Sequence, residues 1–451
     1  MNISRYFGKT AGILSQVVGM GLMFGVHAYA ARGLGANLYG SFNILLAYIM
    51  ISSTIAMFGA SYYLPVYSNR NLDNQLITVY LLISLILSIL TSIVFFIFGL
   101  IELVDFIYFL LGTVGVSWLE INRTLEVIKG RFFFASLIRY LLPGLVSVIY
   151  LTFLPLDSLN FYIVIFIVPF IIALPILKYF SLPSLRSNPF NKSVWVYFAM
   201  QITYLSYIHL VKVAQNSIAT VEIVACFSLA YMIVRLILLV PSYMSLAYLP
   251  ELSSCFKTLQ KNRMLDIYNH IIIVSTLITI NLVVLFWFYI DDIVSFYGDG
   301  YEGLGDLLRY LLILPIVIAF VGPNGPILIA SKRINSELLN GLLLILFSVI
   351  LTISFGERSI AFIALGVVLS EIALAARKRY LSTRILDFKL LNILVTVKLA
   401  VWGLLLYVTF YSVELVEFGL VVELVIKLFI SIISLQIGYI FLKGKYELIK
   451  L

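Results

Sequence analysis

At 451 residues the chain is long enough for several soluble domains, yet 62% of it is hydrophobic, only 12% is charged and its mean hydropathy is +1.08. A water-exposed surface needs far more charge than that, so a soluble globular protein is excluded and hydrocarbon is the solvent these residues suit. The net charge of +8 does not point to nucleic acid, because the Lys and Arg residues fall in short clusters between apolar runs, as topology signals do.

Without water to satisfy backbone amides, the spanning elements must be helices or a closed barrel. The apolar runs are about 20 residues long and lack the alternation of barrel strands, which predicts an all-α, polytopic bundle. In chain order, fourteen helices are expected near residues 10–31, 41–66, 76–100, 104–122, 134–154, 159–180, 193–214, 222–248, 266–290, 304–330, 337–355, 359–376, 391–411 and 418–442. The first leads directly into the second without a small-residue cleavage site, so it is read as a retained helix. With the N-terminus in the cytoplasm, inside loops collect most of the 30 basic residues, for example Lys178, Arg186 and Lys192, then Lys257, Lys261 and Arg263, then the run from Arg377 to Lys389. Outside loops hold acids such as Asp157, Asp291, Asp292 and Glu414, which satisfies the positive-inside rule and places both termini in the cytoplasm. Trp195 and Trp287 fall at predicted helix ends, where interfacial aromatics belong. All outside loops are short, so no soluble domain is expected on that face.

Sliding the chain against itself by 185 residues gives seven identities over 53 positions. Leu64-Pro65 falls on Leu249-Pro250, with Ser68 on Ser253, Tyr63 on Tyr248, Phe42 on Phe227, Val26 on Val211 and Gln16 on Gln201. The organisation expected is two six-helix lobes, 1–185 and 186–385, followed by a helix pair and tail in 386–451. Six is even, so the lobes are parallel in topology and related by an axis along the membrane normal.

The stretch Arg32-Gly33-Leu34-Gly35-Ala36-Asn37-Leu38-Tyr39-Gly40-Ser41-Phe42 resembles the first outside loop of polysaccharide transporters (Wzx-type flippases), which share a superfamily with MATE drug exporters and the MurJ lipid II flippase. Cys226 to Tyr231, Arg235-Leu236 and Tyr248 to Ser253 resemble the eighth helix of that family and its exit. The resemblance implies export of an undecaprenyl-pyrophosphate-linked oligosaccharide, an O-antigen or capsule repeat unit, across the bacterial cytoplasmic membrane by alternating access. It further implies polysaccharide polymerase and chain-length machinery as partners, beside the lipid-linked substrate and the bilayer.

An ionisable residue in hydrocarbon costs about 2.5–3.5 kcal/mol on insertion scales, so each needs a reason. Arg235, about midway along the eighth helix, either faces a central cavity or forms an ion pair. Lys212 and His209, three residues apart on one face of the seventh helix, lie opposite His27 by the repeat. These residues are head-group candidates, against the alternatives that Lys212 snorkels and His27 is a packing histidine. Glu371 is read as a coupling or ion-pair acid. Glu120 with Arg123, and Glu423 with Lys427, have helix-pair spacing and are expected to be structural. In the tenth helix, Pro315 and the run Gly322-Pro323-Asn324-Gly325-Pro326 mark a hinge, a cavity wall or a simple kink.

No catalytic or metal-binding motif and no cofactor signature appears, so a non-enzyme is expected. The main rival is a cation-coupled exporter of the MATE type. A membrane polysaccharide polymerase or ligase would need a sizeable outside loop.

Overall fold

The computed structural model describes residues 3–67, 74–180, 192–258, 260–331, 333–356, 360–386, 393–414 and 420–443, and every regular element among them is helical. The chain begins with α1 (Ile3–Ala56), α2 (Ala60–Tyr67), α3 (Asn74–Ile97) and α4 (Leu103–Ile128). Shorter pieces follow: α5 (Phe132–Ser136), α6 (Leu142–Phe153), α7 (Ser158–Tyr162) and α8 (Val168–Ala173). Three long helices come next, α9 (Lys192–Asn216), α10 (Val221–Lys257) and α11 (Lys261–Phe288). Short helices α12 (Ile290–Tyr297), α13 (Leu304–Leu311), α14 (Ile313–Val321) and α15 (Asn324–Ala330) lead to α16 (Ile334–Gly356), α17 (Ile360–Leu386), α18 (Ile393–Glu414) and α19 (Leu420–Lys443). Ten stretches of the described residues are long and apolar enough to cross a membrane. The protein is a polytopic helical membrane protein, and all fourteen expected spans coincide with helical segments.

The boundaries depart from expectation where local chemistry intervenes. The first two predicted helices meet within α1 at Gly35, whose φ of 78° and ψ of 166° are non-helical and suit a residue without a Cβ, so α1 is two helices divided by a kink. The second predicted helix then ends early, at a turn over residues 57–59. The fifth and sixth each contain a wider π turn, Leu137–Leu141 and Ile163–Ile167, just before Pro143 and Pro169. A proline ring clashes with the carbonyl four residues back, and in both cases that carbonyl lies inside the π turn, where the wider register makes room.

Contacts divide the chain into two compact units. One lies within Met1–Leu229, Tyr297–Gly303 and Gly341–Gly366. The other lies within Ala230–Phe296, Leu304–Asn340 and Val367–Leu451.

In the first unit, burial on α3 is inverted relative to a soluble helix. Ser84, Ser88 and Ser92 are buried at i, i+4 and i+8 while Ile86, Leu90 and Val94 are exposed. Lipid is as apolar as leucine, so small residues mediate the packing and their hydroxyls bond backward within the helix, Ser88 to the Ser84 carbonyl at 2.7 Å and Ser92 to Ser88 at 2.7 Å. The Ser84 hydroxyl also accepts from the Trp118 indole of α4 at 2.8 Å. Glu120 pairs with Arg123, as its spacing predicts, and with Arg139 at 3.1 Å. Six residues on, Glu126 takes Lys129 at 3.3 Å.

The second unit is organised around α11. Ile273 and Leu277 pack with Leu399 of α18, beside Trp402 and Leu435. Lys427 of α19 is fully buried, paired with Glu423 as its spacing predicts, and lies 4.5 Å from the Phe288 ring centroid.

The tightest backbone approach in the first unit is at Gly40, where a Cβ would come within 2.2 Å of the Val221 carbonyl oxygen. Gly40→Ala is expected to lower the thermal unfolding midpoint of the purified protein through an overpacking cost of about 1–3 kcal/mol. Gly21→Ala, whose Cβ would meet nothing within 4 Å, should leave the midpoint unchanged or raised.

Candidate functional site

Within the first unit, α1 and α9 bring together three of the four predicted head-group residues: His27, His209 and Lys212 are all buried. The Asn43 amide anchors the arrangement. It donates to the Tyr39 carbonyl at 2.9 Å, and its oxygen accepts from Lys212 Nζ at 3.3 Å. His27 Nδ1 lies 3.1 Å from the Tyr39 hydroxyl, with its ring edge-on to Phe161 at 5.9 Å. His27 is thus packed inside an aromatic cluster in this conformation.

Two further contacts close this end of the unit. Asn37 Nδ2 donates to Glu222 at 3.1 Å, and these residues are 185 positions apart. The Tyr301 hydroxyl donates to the Ala31 carbonyl at 2.8 Å, one turn before the Gly35 kink. Burial pushes the phenols of this loop up, that of Tyr297 to about 12, so Tyr301 keeps its donor proton at neutral pH.

Gln201 of α9 is fully buried and serves the break between α1 and α2. Its amide donates to the Thr54 carbonyl at 2.7 Å, and its oxygen accepts from the Ser61 N–H at 3.3 Å. Those groups belong to a helix C-terminus and a helix N-terminus, which otherwise lack intrahelical partners. One primary amide carries both the donor and the acceptor required.

Arg235, the fourth head-group candidate, belongs to the second unit, where it is exposed on α10 and makes no ion pair among the described residues. Glu371 is half-buried on α17. The tenth predicted span is broken twice. Pro315 cannot bond to Leu311, where α13 ends, and α14 stops at Gly322, whose φ of 80° and ψ of −166° are accessible essentially to glycine alone. At the Gly322 break the freed carbonyls are re-satisfied. Asn324 Nδ2 donates to the Val321 oxygen at 2.6 Å, with the Tyr268 hydroxyl 3.1 Å away, and Ser275 reaches the Ala319 carbonyl, four residues before Pro323, at 3.5 Å. Pro323 is buried, Gly325 lies against Glu337 and Lys378, and Pro326 contributes its backbone to α15. No group of His, Cys, Asp and Glu among the described residues could hold a metal ion.

Sequence reasoning singled out the charged residues and missed Asn43, Gln201, Tyr268 and Tyr301. A polar side chain inside an apolar span was the available signal for Asn43 and Gln201. Tyr268 and Tyr301 gave none, since backbone carbonyls are among their partners.

No family model and no curated protein matches the sequence. Solved structures do match. A MATE in complex with MaL6 is similar over 84% of this chain and 96% of its own, at a TM-score of 0.60 and 12% identity. An inward-facing multidrug resistance MATE family transporter of the MOP superfamily gives a TM-score of 0.61 at 11% identity over 82% and 94%. A MOP superfamily transporter from Pyrococcus furiosus, whose reverse polarity of binding pocket suggests a different function, gives 0.60 at 12% over 84% and 95%. The likeness is one of fold, and the fold is that of the MATE transporters.

Gln201 and its repeat counterpart Gln16 make a controlled comparison, because Gln16 is half-buried and reaches only the Met20 sulfur, at 3.7 Å. Gln201→Leu should sharply lower the thermal unfolding midpoint, each stranded backbone group costing about 1–3 kcal/mol. Gln16→Leu, measured in the same detergent, should change it little.

Proposed function

We propose that the protein is a membrane transporter that moves an anionic, lipid-linked oligosaccharide across a bacterial cytoplasmic membrane by alternating access, with both termini in the cytoplasm. The observation that carries the anionic assignment is the buried ammonium of Lys212, met by the Asn43 amide oxygen and set beside two histidines on the α1–α9 contact. A buried cation at this contact is suited to attract the negative charge of a diphosphate head group. Arg235, exposed within a membrane span, is a second cation for the same cargo. Moving each negative charge outward also gains about 2.3 kcal/mol per 100 mV of membrane potential. The isoprenoid tail would remain in the bilayer while the sugar-bearing head crosses.

Alternating access is supported by the solved relatives in fold, which include both an outward-facing and an inward-facing MATE family transporter. We take 1–185 and 186–385 as repeated lobes, supported by the Asn37–Glu222 contact, since residues equivalent under a two-fold meet only near its axis. The contact set of α1, α9 and residues 297–303 then corresponds to an outer side that is closed.

A second reading is a cation-coupled exporter of the MATE type, favoured by the names of those structural neighbours and by Glu371 as a membrane acid able to carry a proton. Two measurements separate the readings. In a deletion strain, the lipid reading expects a lipid-linked oligosaccharide to accumulate on the cytoplasmic leaflet, and in that background Lys212→Ala with Arg235→Ala should restore little surface polysaccharide at normal protein abundance. Full restoration by the double variant, or drug efflux without any lipid-linked intermediate, would favour the exporter.

A further inference from the structure

The basic triplet Arg377-Lys378-Arg379 near the end of α17 does more than set topology. One buried carboxylate serves it: Glu337 of α16 accepts from Lys378 Nζ at 2.7 Å and from Asn340 Nδ2 at 3.0 Å. Arg377 bonds the Asn340 side-chain oxygen, an uncharged acceptor. Arg379 is half-buried, with its guanidinium 5.5 Å from the Phe320 ring centroid on the last turn before the Gly322 break. Neither arginine makes an ion pair among the described residues. The Arg379 Nε–H is enclosed and meets no acceptor among them, and so is the hydroxyl of Ser382, itself 1% exposed. These two donors are three residues apart and therefore share a face of α17. Glu371 lies eight residues back, about 12 Å along the axis.

Topology requires charge near a membrane surface, and solvated side chains supply it. It does not require a guanidinium whose Nε is shut away from water beside an enclosed serine. Buried donors are nearly always satisfied, so an arrangement with two open ones next to two uncompensated cations lacks an acceptor. A group with several anionic oxygens meets that need, because a guanidinium binds it through a planar fork while a hydroxyl takes a further oxygen. We propose that Arg379 and Ser382, assisted by Arg377, form a phosphate-binding site at this end of α17, beside the α14–α15 break. Its ligand is a soluble phosphate or diphosphate, or the phosphate of a lipid head group. The inference does not depend on the transported cargo.

The test uses the purified full chain. Inorganic pyrophosphate is titrated calorimetrically in detergent, and lipid retained from phosphatidylcholine–phosphatidylglycerol nanodiscs is identified by native mass spectrometry. Saturable pyrophosphate binding assigns a soluble anion, and selective retention of phosphatidylglycerol assigns a lipid head group; either supports the site. Arg379→Gln with Ser382→Ala should weaken the positive interaction by about tenfold, the loss of roughly one charge-assisted hydrogen bond. Arg384→Gln removes the same charge from an exposed arginine stacked on Tyr380, and should change affinity less than about twofold. If the double variant does not fold, Arg379→Lys, which keeps the charge and loses the fork, should still weaken binding several-fold. Binding of neither probe, equal losses in the Arg384 variant, or undiminished affinity in Arg379→Lys would overturn the proposal.

Discussion

Hydrocarbon offers a backbone amide no substitute for a lost hydrogen bond, and the structure is shaped around that fact. Several interruptions of its helices are closed by a specific side chain or by a change of helical register. Gln201 spans the α1–α2 break, Asn324 and Tyr268 close the end of α14, and Ser275 reaches the Ala319 carbonyl. Before Pro143 and Pro169 the solution is a π turn, which gives the clashing carbonyl room. A break of this kind is stabilised in the conformation that supplies its cap. At the α14–α15 junction the bonds from Tyr268 and Asn324 hold the broken backbone in its present geometry.

Charge in the same solvent is handled in three ways. Glu423 and two aromatic rings neutralise Lys427, with its nitrogen 4.5 Å from the Phe288 centroid and 5.0 Å from that of Tyr289. Glu120 is shared between Arg123 and Arg139, where the spacing in α4 foretold only the first partner. Lys212 is met by an amide. The first two arrangements consume the charge within the fold, and a carboxylate lost from either would strand a buried cation. The third is a buried lysine bonded to an amide, the residue proposed above to meet a ligand. Burial alone does not separate these arrangements, since Lys427 is the more deeply buried of the two lysines.

The spans were legible because hydropathy over a helix length is a property of composition, and the pairs Glu120–Arg123 and Glu423–Lys427 were legible because helical spacing is local. The place where the first helix gives way to the second was not, since Arg32 to Gly40 has the glycines and polarity of a longer loop while the structure confines the break to Gly35. The break at Gly322 was visible as two glycines and two prolines; one of its caps, Asn324, is local, whereas Tyr268 and Ser275 come from α11, far away in sequence. The α1–α9 cluster was half visible. Repeat arithmetic paired His27 with Lys212, but the Asn43 amide that Lys212 meets carries no charge to draw notice.

The repeat also explains where the two halves diverge. Gln16 and Gln201 are identical residues at equivalent positions, yet only the second is fully buried and bonded to backbone groups. The groups that Gln201 serves, Thr54 and Ser61, correspond to Leu239 and Leu246, and α10 runs without interruption from Val221 to Lys257 through both. There is no broken helix at those positions for Gln16 to mend, so the demand disappeared while the residue stayed. The same asymmetry holds at the contact itself, where one repeat carries His27 and Asn37 and the other Lys212 and Glu222. A two-fold contact between identical side chains would set like against like; placing an amide opposite a carboxylate, at 3.1 Å, turns it into a charge-assisted hydrogen bond.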